Sequence, residues 1–154
     1  MIGSARLSHL GMVVPDLEAA MAEHRRLLGL SWPEIKVLED VYRLPDGETR
    51  TVPLRVVFSR EGPPYLELIE AVPGTPWTVP SGGGLHHVAY WSETLLEDVA
   101  TFVEAGLDVE LTRAGPEIAQ GFSYHVFESG TRVELIDVAA RPAIEAWTGT
   151  SPGT

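Results

Sequence analysis

Two histidines and two glutamates recur at matching places in the two halves of this 154-residue chain, and together they form a donor set for a divalent metal ion. His9-Leu10-Gly11-Met12-Val13-Val14 is echoed by His87-Val88-Ala89-Tyr90-Trp91, and Leu66-Glu67-Leu68-Ile69-Glu70 by Val133-Glu134-Leu135-Ile136-Asp137. Each half thus opens on a histidine and closes on a glutamate, the histidines 78 residues apart and the glutamates 67. Internal duplication constrains architecture before any single residue does. The chain has no cysteine, so a metal here must be held by imidazole and carboxylate. Two neutral imidazoles with two carboxylates leave a divalent ion close to neutral and suit Zn, Ni, Co, Mn or Fe alike.

The elements that must carry these residues follow from periodicity. Leu7 to Val14 is apolar and β-branched enough for a strand, and Pro15-Asp16 ends it and offers an N-cap. Leu17, Ala20, Met21, Leu27 and Leu28 then recur at helical spacing up to the stop at Gly29. Ile35 to Tyr42, Thr51 to Ser59 and Tyr65 to Ala71 read as strands, divided by Pro45-Asp46-Gly47 and Glu61-Gly62-Pro63-Pro64. Residues 73–84, with three prolines and three consecutive glycines, are a linker. The order then restarts: strand Leu85 to Trp91, helix Leu95 to Ala105 ended by Gly106, and strands Val109 to Arg113, Phe122 to Glu128 and Thr131 to Val138. Ala143 to Trp147 can form a helical turn that docks Trp147, with a loose end from Gly149.

The expected fold class is therefore α+β: two β-α-β-β-β modules, residues 7–72 and 85–139, pairing into an eight-stranded mixed-sheet cup with helices outside. They would make one domain over residues 1–140, followed by a C-terminal tail over 141–154. Alternate strand residues share a face. His9, Gly11 and Val13 point one way, as do His87, Ala89 and Trp91, and Glu67 sides with Ile69 as Glu134 does with Ile136. If the first and fourth strands of both modules turn these faces inward, the four donors meet in the cup.

Composition narrows the partners. Eleven basic against 22 acidic residues give a formal charge of −11, which repels nucleic acid and anionic membrane surfaces. The start of the chain lacks a basic segment followed by a long apolar run, and nothing later approaches a membrane span, so a soluble, unprocessed, cytoplasmic protein is expected.

On His9 to Glu18 leading to Leu28-Gly29-Leu30, on Gly82-Gly83-Gly84-Leu85-His86-His87 and on Val133-Glu134-Leu135, the chain resembles the vicinal oxygen chelate superfamily. That group includes glyoxalase I, methylmalonyl-CoA epimerase, extradiol dioxygenases and bleomycin-type resistance proteins, and the Gly-Gly-Gly-Leu-His-His piece looks most like its epimerase branch. The resemblance spans roughly residues 7–139. It implies a divalent metal held by His9, Glu67, His87 and Glu134. It also implies a metal-dependent isomerase, epimerase or lyase that abstracts a proton next to a carbonyl, with Glu134 or Glu67 as base. An extradiol-type dioxygenase with non-haem iron on His9, His87 and Glu134, or a metal-free cup that sequesters an antibiotic, are the alternatives. The substrate would be a small oxygenated molecule. A CoA thioester wants basic contacts for its phosphates, and one lysine with ten dispersed arginines argues against it. A homodimer is expected from the resemblance alone.

The remaining candidates are weaker. His86 should face away from His87 and serve as a turn or supporting group, and His24 lies on the polar helix face. His125, on a strand near Glu134, is a candidate proton donor. Trp32, Tyr42, Trp77, Trp91 and Phe127 are candidates for an apolar pocket, of which Trp91 shares a face with His87; the substrate pocket is assigned to Trp91 and Phe127. The glycine run leads into a strand and lacks a following Lys-Ser or Lys-Thr, so it is no phosphate loop.

Overall fold

Residues 36–41 and 87–91 alternate more and less buried side chains, whereas 67–69, 123–125 and 133–136 run buried on both faces, as a sheet does that has a core on one side and helices on the other. In the computed structural model, which describes residues 6–150, the strands are β1 (Arg6–Val14), β2 (Lys36–Arg43), β3 (Thr49–Phe58) and β4 (Tyr65–Glu70), then β5 (His87–Ser92), β6 (Leu111–Arg113), β7 (Phe122–Val126) and β8 (Arg132–Asp137). Helices α1 (Leu17–Leu28) and α2 (Leu95–Glu104) follow the first strand of each half, and a single 3-10 turn (Val138–Ala140) leads into α3 (Arg141–Thr148). The start of the chain and most of the expected loose end lie outside the described residues.

The strands close into a barrel in the order β1-β4-β3-β2-β6-β7-β8-β5. In each half the first strand runs parallel to the fourth, β1 with β4 and β5 with β8, and β1 and β5 meet antiparallel. The mixed α+β cup expected from the repeat is the architecture observed. Closure also removes free sheet edges, the usual sites of unwanted pairing. Among the described residues no helix is long and apolar enough to cross a membrane.

Local chemistry sets the boundaries. Asp16 stands in an extended conformation before α1 and accepts from the Ala19 N–H (2.8 Å), while Gly29 closes the helix with φ of 71°. α2 has no such side-chain cap at Thr94; its first turn is held instead by Ser92 donating to buried Asp98 (2.5 Å). Leu17 of α1 buries against Val14, Val57 and Leu68, and Val99 of α2 against Leu135. The strand expected from Val109 begins only at Leu111, because the Leu107 and Asp108 carbonyls turn towards the His125 ring. The tail forms more helix than the single turn expected, and Trp147 docks by donating to the Glu34 carbonyl (2.9 Å).

Candidate metal centre

The register of four neighbouring strands decides which side chains meet. Gly11 of β1 lies opposite Glu67 on β4 and His87 on β5, and Ala89 of β5 lies opposite His9 on β1 and Glu134 on β8. The pairing is reciprocal about the β1–β5 seam, so each half contributes one imidazole and one carboxylate to the same point. All four residues are buried, and their donor atoms lie within 4.8 Å of one another. His9 Nε2 is 3.1 Å from His87 Nε2, 3.3 Å from Glu67 Oε2 and 3.0 Å from Glu134 Oε2. His87 Nε2 is 3.1 Å from each carboxylate oxygen.

These residues fit a metal. Metal–donor bonds of about 2.0–2.1 Å give donor–donor edges of about 3.0 Å at right angles and about 3.4 Å at tetrahedral angles, and the observed 3.0–3.3 Å lies between them. Glu67 Oε2 is buried without a well-formed hydrogen bond. Such an atom is costly unless something positive answers it. A cation equidistant from the four donors would do so.

Without a metal the cluster balances itself with protons. Burial works against charge on His9, but Glu67 and Glu134 overcome it and lift the imidazole to about 10; His87 is raised by the same balance. Burial would likewise raise the carboxylates, yet the facing imidazoles, His9 foremost, hold both below the usual carboxylate range.

Behind the donors the two halves differ. Ser8 Oγ lies 3.0 Å from His9 Nδ1. His86 Nδ1 lies 2.9 Å from His87 Nδ1, and His86 Nε2 donates to the Pro76 carbonyl (2.7 Å). Burial lowers His86 to about 4 despite that bond, so the ring is neutral near pH 7. It supports His87 and stands outside the donor cluster.

His9, Glu67 and Glu134 form part of the wall of a cavity of about 440 Å³. The rest is largely apolar: Leu38, Tyr42, Leu54, Val56 and Phe58 from β2 and β3, Phe122 and Tyr124 from β7, Trp77 from the linker, and Ile144 and Trp147 from α3. Tyr124 accepts from Trp77 Nε1 (3.1 Å) and its ring lies 5.1 Å from that of His87. Burial, reinforced by both glutamates, raises its hydroxyl far above the ordinary value and keeps it neutral. Lys36 and Arg113 are the cations on the wall; Arg113 is paired with Asp40 (3.0 Å), and Lys36 sits 4.5 Å above the Trp147 ring.

Three expectations about the site are corrected. His125 does not reach the cup: Tyr124, opposite Glu134, takes the inward position on β7, and His125 turns outward against Phe102 of α2. There it bonds Ser123 Oγ and the Leu107 and Asp108 carbonyls. Phe127 sits in the turn after β7, where Gly130 N donates to its carbonyl, and packs 5.8 Å from Phe102 outside the barrel. Trp91 does face inward and is 6% exposed, but no residue of β5 lines the cavity. Of the other aromatic candidates, Tyr42 and Trp77 are on the wall, and Trp32 lies under α1, donating to the Met21 carbonyl (3.0 Å). The sequence reading leaves out Phe58, Phe122 and Tyr124 and takes Trp147 only as the residue that docks the tail; strand parity tied to Glu67 and Glu134 points to Phe58 and Tyr124 once the pairing is known.

Comparison with known proteins gives a consistent result. The family pattern described as the Glyoxalase/Bleomycin resistance protein/Dioxygenase superfamily matches residues 8–127. An ethylmalonyl-CoA/methylmalonyl-CoA epimerase of Cereibacter sphaeroides is 34% identical over 116 residues, covering 71% of this chain and 75% of that protein. A variant of the Streptomyces coelicolor methylmalonyl-CoA epimerase, in complex with 2-nitronate-propionyl-CoA, superposes with a TM-score of 0.59 at 21% identity over 88% of this chain and 95% of that one. A protein of Bacillus halodurans described as hypothetical superposes at 0.62 with 19% identity, over 88% and 95%. The duplicated strand register, the closed eight-stranded cup and these matches have one common account, and the chain belongs to the Glyoxalase/Bleomycin resistance protein/Dioxygenase superfamily.

Proposed function

We propose that this protein is a divalent-metal-dependent isomerase of the epimerase type, which removes and returns a proton on the carbon next to a substrate carbonyl. The observation that carries the reading is the four-donor cluster set into the wall of a largely apolar cavity. The epimerase of Cereibacter sphaeroides at 34% identity supports the reaction class. When bound, a divalent ion such as Zn, Ni, Co, Mn or Fe polarises a carbonyl and acidifies the neighbouring C–H. His9, Glu67, His87 and Glu134 would hold it.

The chain's own groups do the rest. The apolar wall of Leu38, Leu54, Val56, Ile69 and Ile136 excludes water from the reacting carbon. Glu134 takes the proton. Epimerisation returns a proton to the opposite face, so Glu67, reaching the cluster from the other side of the β1–β5 seam, must enter the turnover as the carboxylic acid and leave it as the carboxylate while Glu134 does the reverse. The relative's substrates put acyl thioesters first among compounds to test, and Lys36 and Arg113 on the wall offer cations that dispersion along the chain had hidden.

The test combines metal analysis with solvent deuterium exchange. Purified protein should hold about one redox-inert divalent ion per chain and exchange the proton next to the carbonyl of an acyl thioester or 2-oxo compound. A catechol cleaved with oxygen uptake by an iron-loaded protein would replace this reading with a dioxygenase, and a protein that binds no divalent ion would leave small-molecule sequestration.

A further inference from the structure

His86 adjoins a donor without being one, and the linker carbonyl it holds has no role in the reading above. With His86 uncharged, the hydrogen-bond inventory of Pro76–His86–His87 allows one arrangement. A proline residue's carbonyl only accepts, so His86 Nε2, 2.7 Å away, must carry the proton. A neutral imidazole with a proton on Nε2 has a lone pair on Nδ1. His87 Nδ1, 2.9 Å from that lone pair, must therefore be the donor. Once His87 gives up its other proton to a metal, its free lone pair is on Nε2, the atom that faces His9, Glu67 and Glu134.

We propose that His86 is a positioning residue that fixes the tautomer and ring orientation of His87, transmitting to the metal centre an anchor in the linker at the Pro76 carbonyl. The backbone supports the role: His86 N donates to the Gly11 carbonyl (2.8 Å), locking the residue onto β1 just before β5 begins. Residue 76 is held in turn because Val72 N donates to the Trp77 carbonyl (2.8 Å) and the Trp77 side chain is 1% exposed. Among the described residues nothing equivalent stands behind His9. Its partner Ser8 has a hydroxyl that rotates to donate or accept and selects neither tautomer. Supporting partners of metal-bound histidines typically contribute about 10–100-fold in metal affinity. The proposal rests on reading the cluster as a metal centre, and its test separates the two.

The experiment uses the full chain, stripped of metal and then titrated with Co²⁺ against a competing chelator, with nitrogen-15 NMR of the histidine rings before and after Zn²⁺ loading. In stripped wild type, His86 should show a protonated Nε2 and a bare Nδ1. In the loaded protein, His87 should carry its proton on Nδ1. His86→Phe removes both bonds while keeping a ring and should weaken Co²⁺ binding about 10–100-fold. His86→Asn, which keeps an acceptor near the Nδ1 position, should recover most of that loss. A merely structural role would lower the melting temperature of both variants and leave metal affinity and the His87 tautomer unchanged, which overturns the proposal. A proton found on His86 Nδ1 in wild type overturns it as well, whether or not the variants fold. Wild type that binds neither Co²⁺ nor Zn²⁺ defeats the metal reading instead, and the ring tautomers of the stripped protein still decide the part concerning His86.

Discussion

The two halves of the barrel place their histidines and glutamates in reciprocal register and differ in almost everything around them. The first half builds its wall from two long strands, β2 and β3, paired over eight positions; the second has the three-residue β6. His87 lies over a glycine, where His9 lies opposite an alanine. A methyl group at position 11 would stand 1.9 Å from His87 Cε1 and 2.2 Å from its Nε2. The first helix is capped by Asp16 and the second has no side-chain cap. After duplication the four donors and the Leu-Ile pairs that follow the glutamates have remained alike. The positions that shape the space around the donors were free to diverge, and they did so unequally.

The sharpest test of this unequal partnership is the pair Glu134→Gln and Glu67→Gln. Loss of a general base typically costs about 10²–10⁴ in rate, so Glu134→Gln should lower deuterium exchange by that factor at matched metal occupancy. Identical losses from Glu67→Gln would make the two carboxylates equivalent bases and dissolve the asymmetry assigned to them.

Gly11→Ala and Ala89→Gly come next. Overfilling a packed site costs about 1–3 kcal/mol, and here the atoms in the way belong to a donor ring, so Gly11→Ala should also weaken Co²⁺ binding. Ala89→Gly should cost only about 0.5–1 kcal/mol, from added backbone freedom. Thermal unfolding and Co²⁺ titration read both.

The pH dependence sets protons against metal. With His9 raised to about 10, its charge stabilises the stripped protein fully below the ordinary imidazole value of 6.5, and that share is lost as pH rises towards 10. Glu67 and Glu134 are lowered, so their share is present above 4.5 and lost as pH falls through their depressed values. Stripped protein should therefore be most stable between these limits. Metal affinity should move the other way, rising by about tenfold per pH unit for each proton displaced. Melting curves of stripped and Zn²⁺-loaded protein should accordingly separate more widely at pH 8 than at pH 6. A constant separation would show that the imidazoles are already unprotonated.

The smallest effect concerns the helices. Asp16→Ala should cost about 0.5–2 kcal/mol as a lost N-cap. Thr94→Ala, at a position with no cap bond, should fall within the scatter of chemical denaturation midpoints.

The barrel and the meeting of the four donors were legible because both follow from a period of two and a repeated motif. His9, Glu67, His87 and Glu134 sit in strands whose inner face is fixed by their own apolar neighbours. His125 had no such reference. Its face depends on Tyr124 pairing with Glu134, and a strand read by itself does not reveal its partner's register. Trp91 shows a second limit, since parity tells which side a residue faces and not how far along the barrel it lies. Trp77 joins the pocket aromatics on residue type alone, and its surroundings are not legible because a proline- and glycine-rich stretch has no period to follow. The docking of Trp147 is legible in the apolar pattern of the tail, but its place on the cavity wall is not, because that depends on the full length of α3.

The last helix follows the eighth strand and carries none of the four donors, yet Ala143, Ile144 and Trp147 from it face the cavity. On the proposed function, admission and treatment are written in different parts of the chain: α3 helps decide what is accepted, the strands that carry the four donors what is done to it. Evolution, or an engineer, can retune the first by exchanging residues 138–148 while the chemistry is inherited intact.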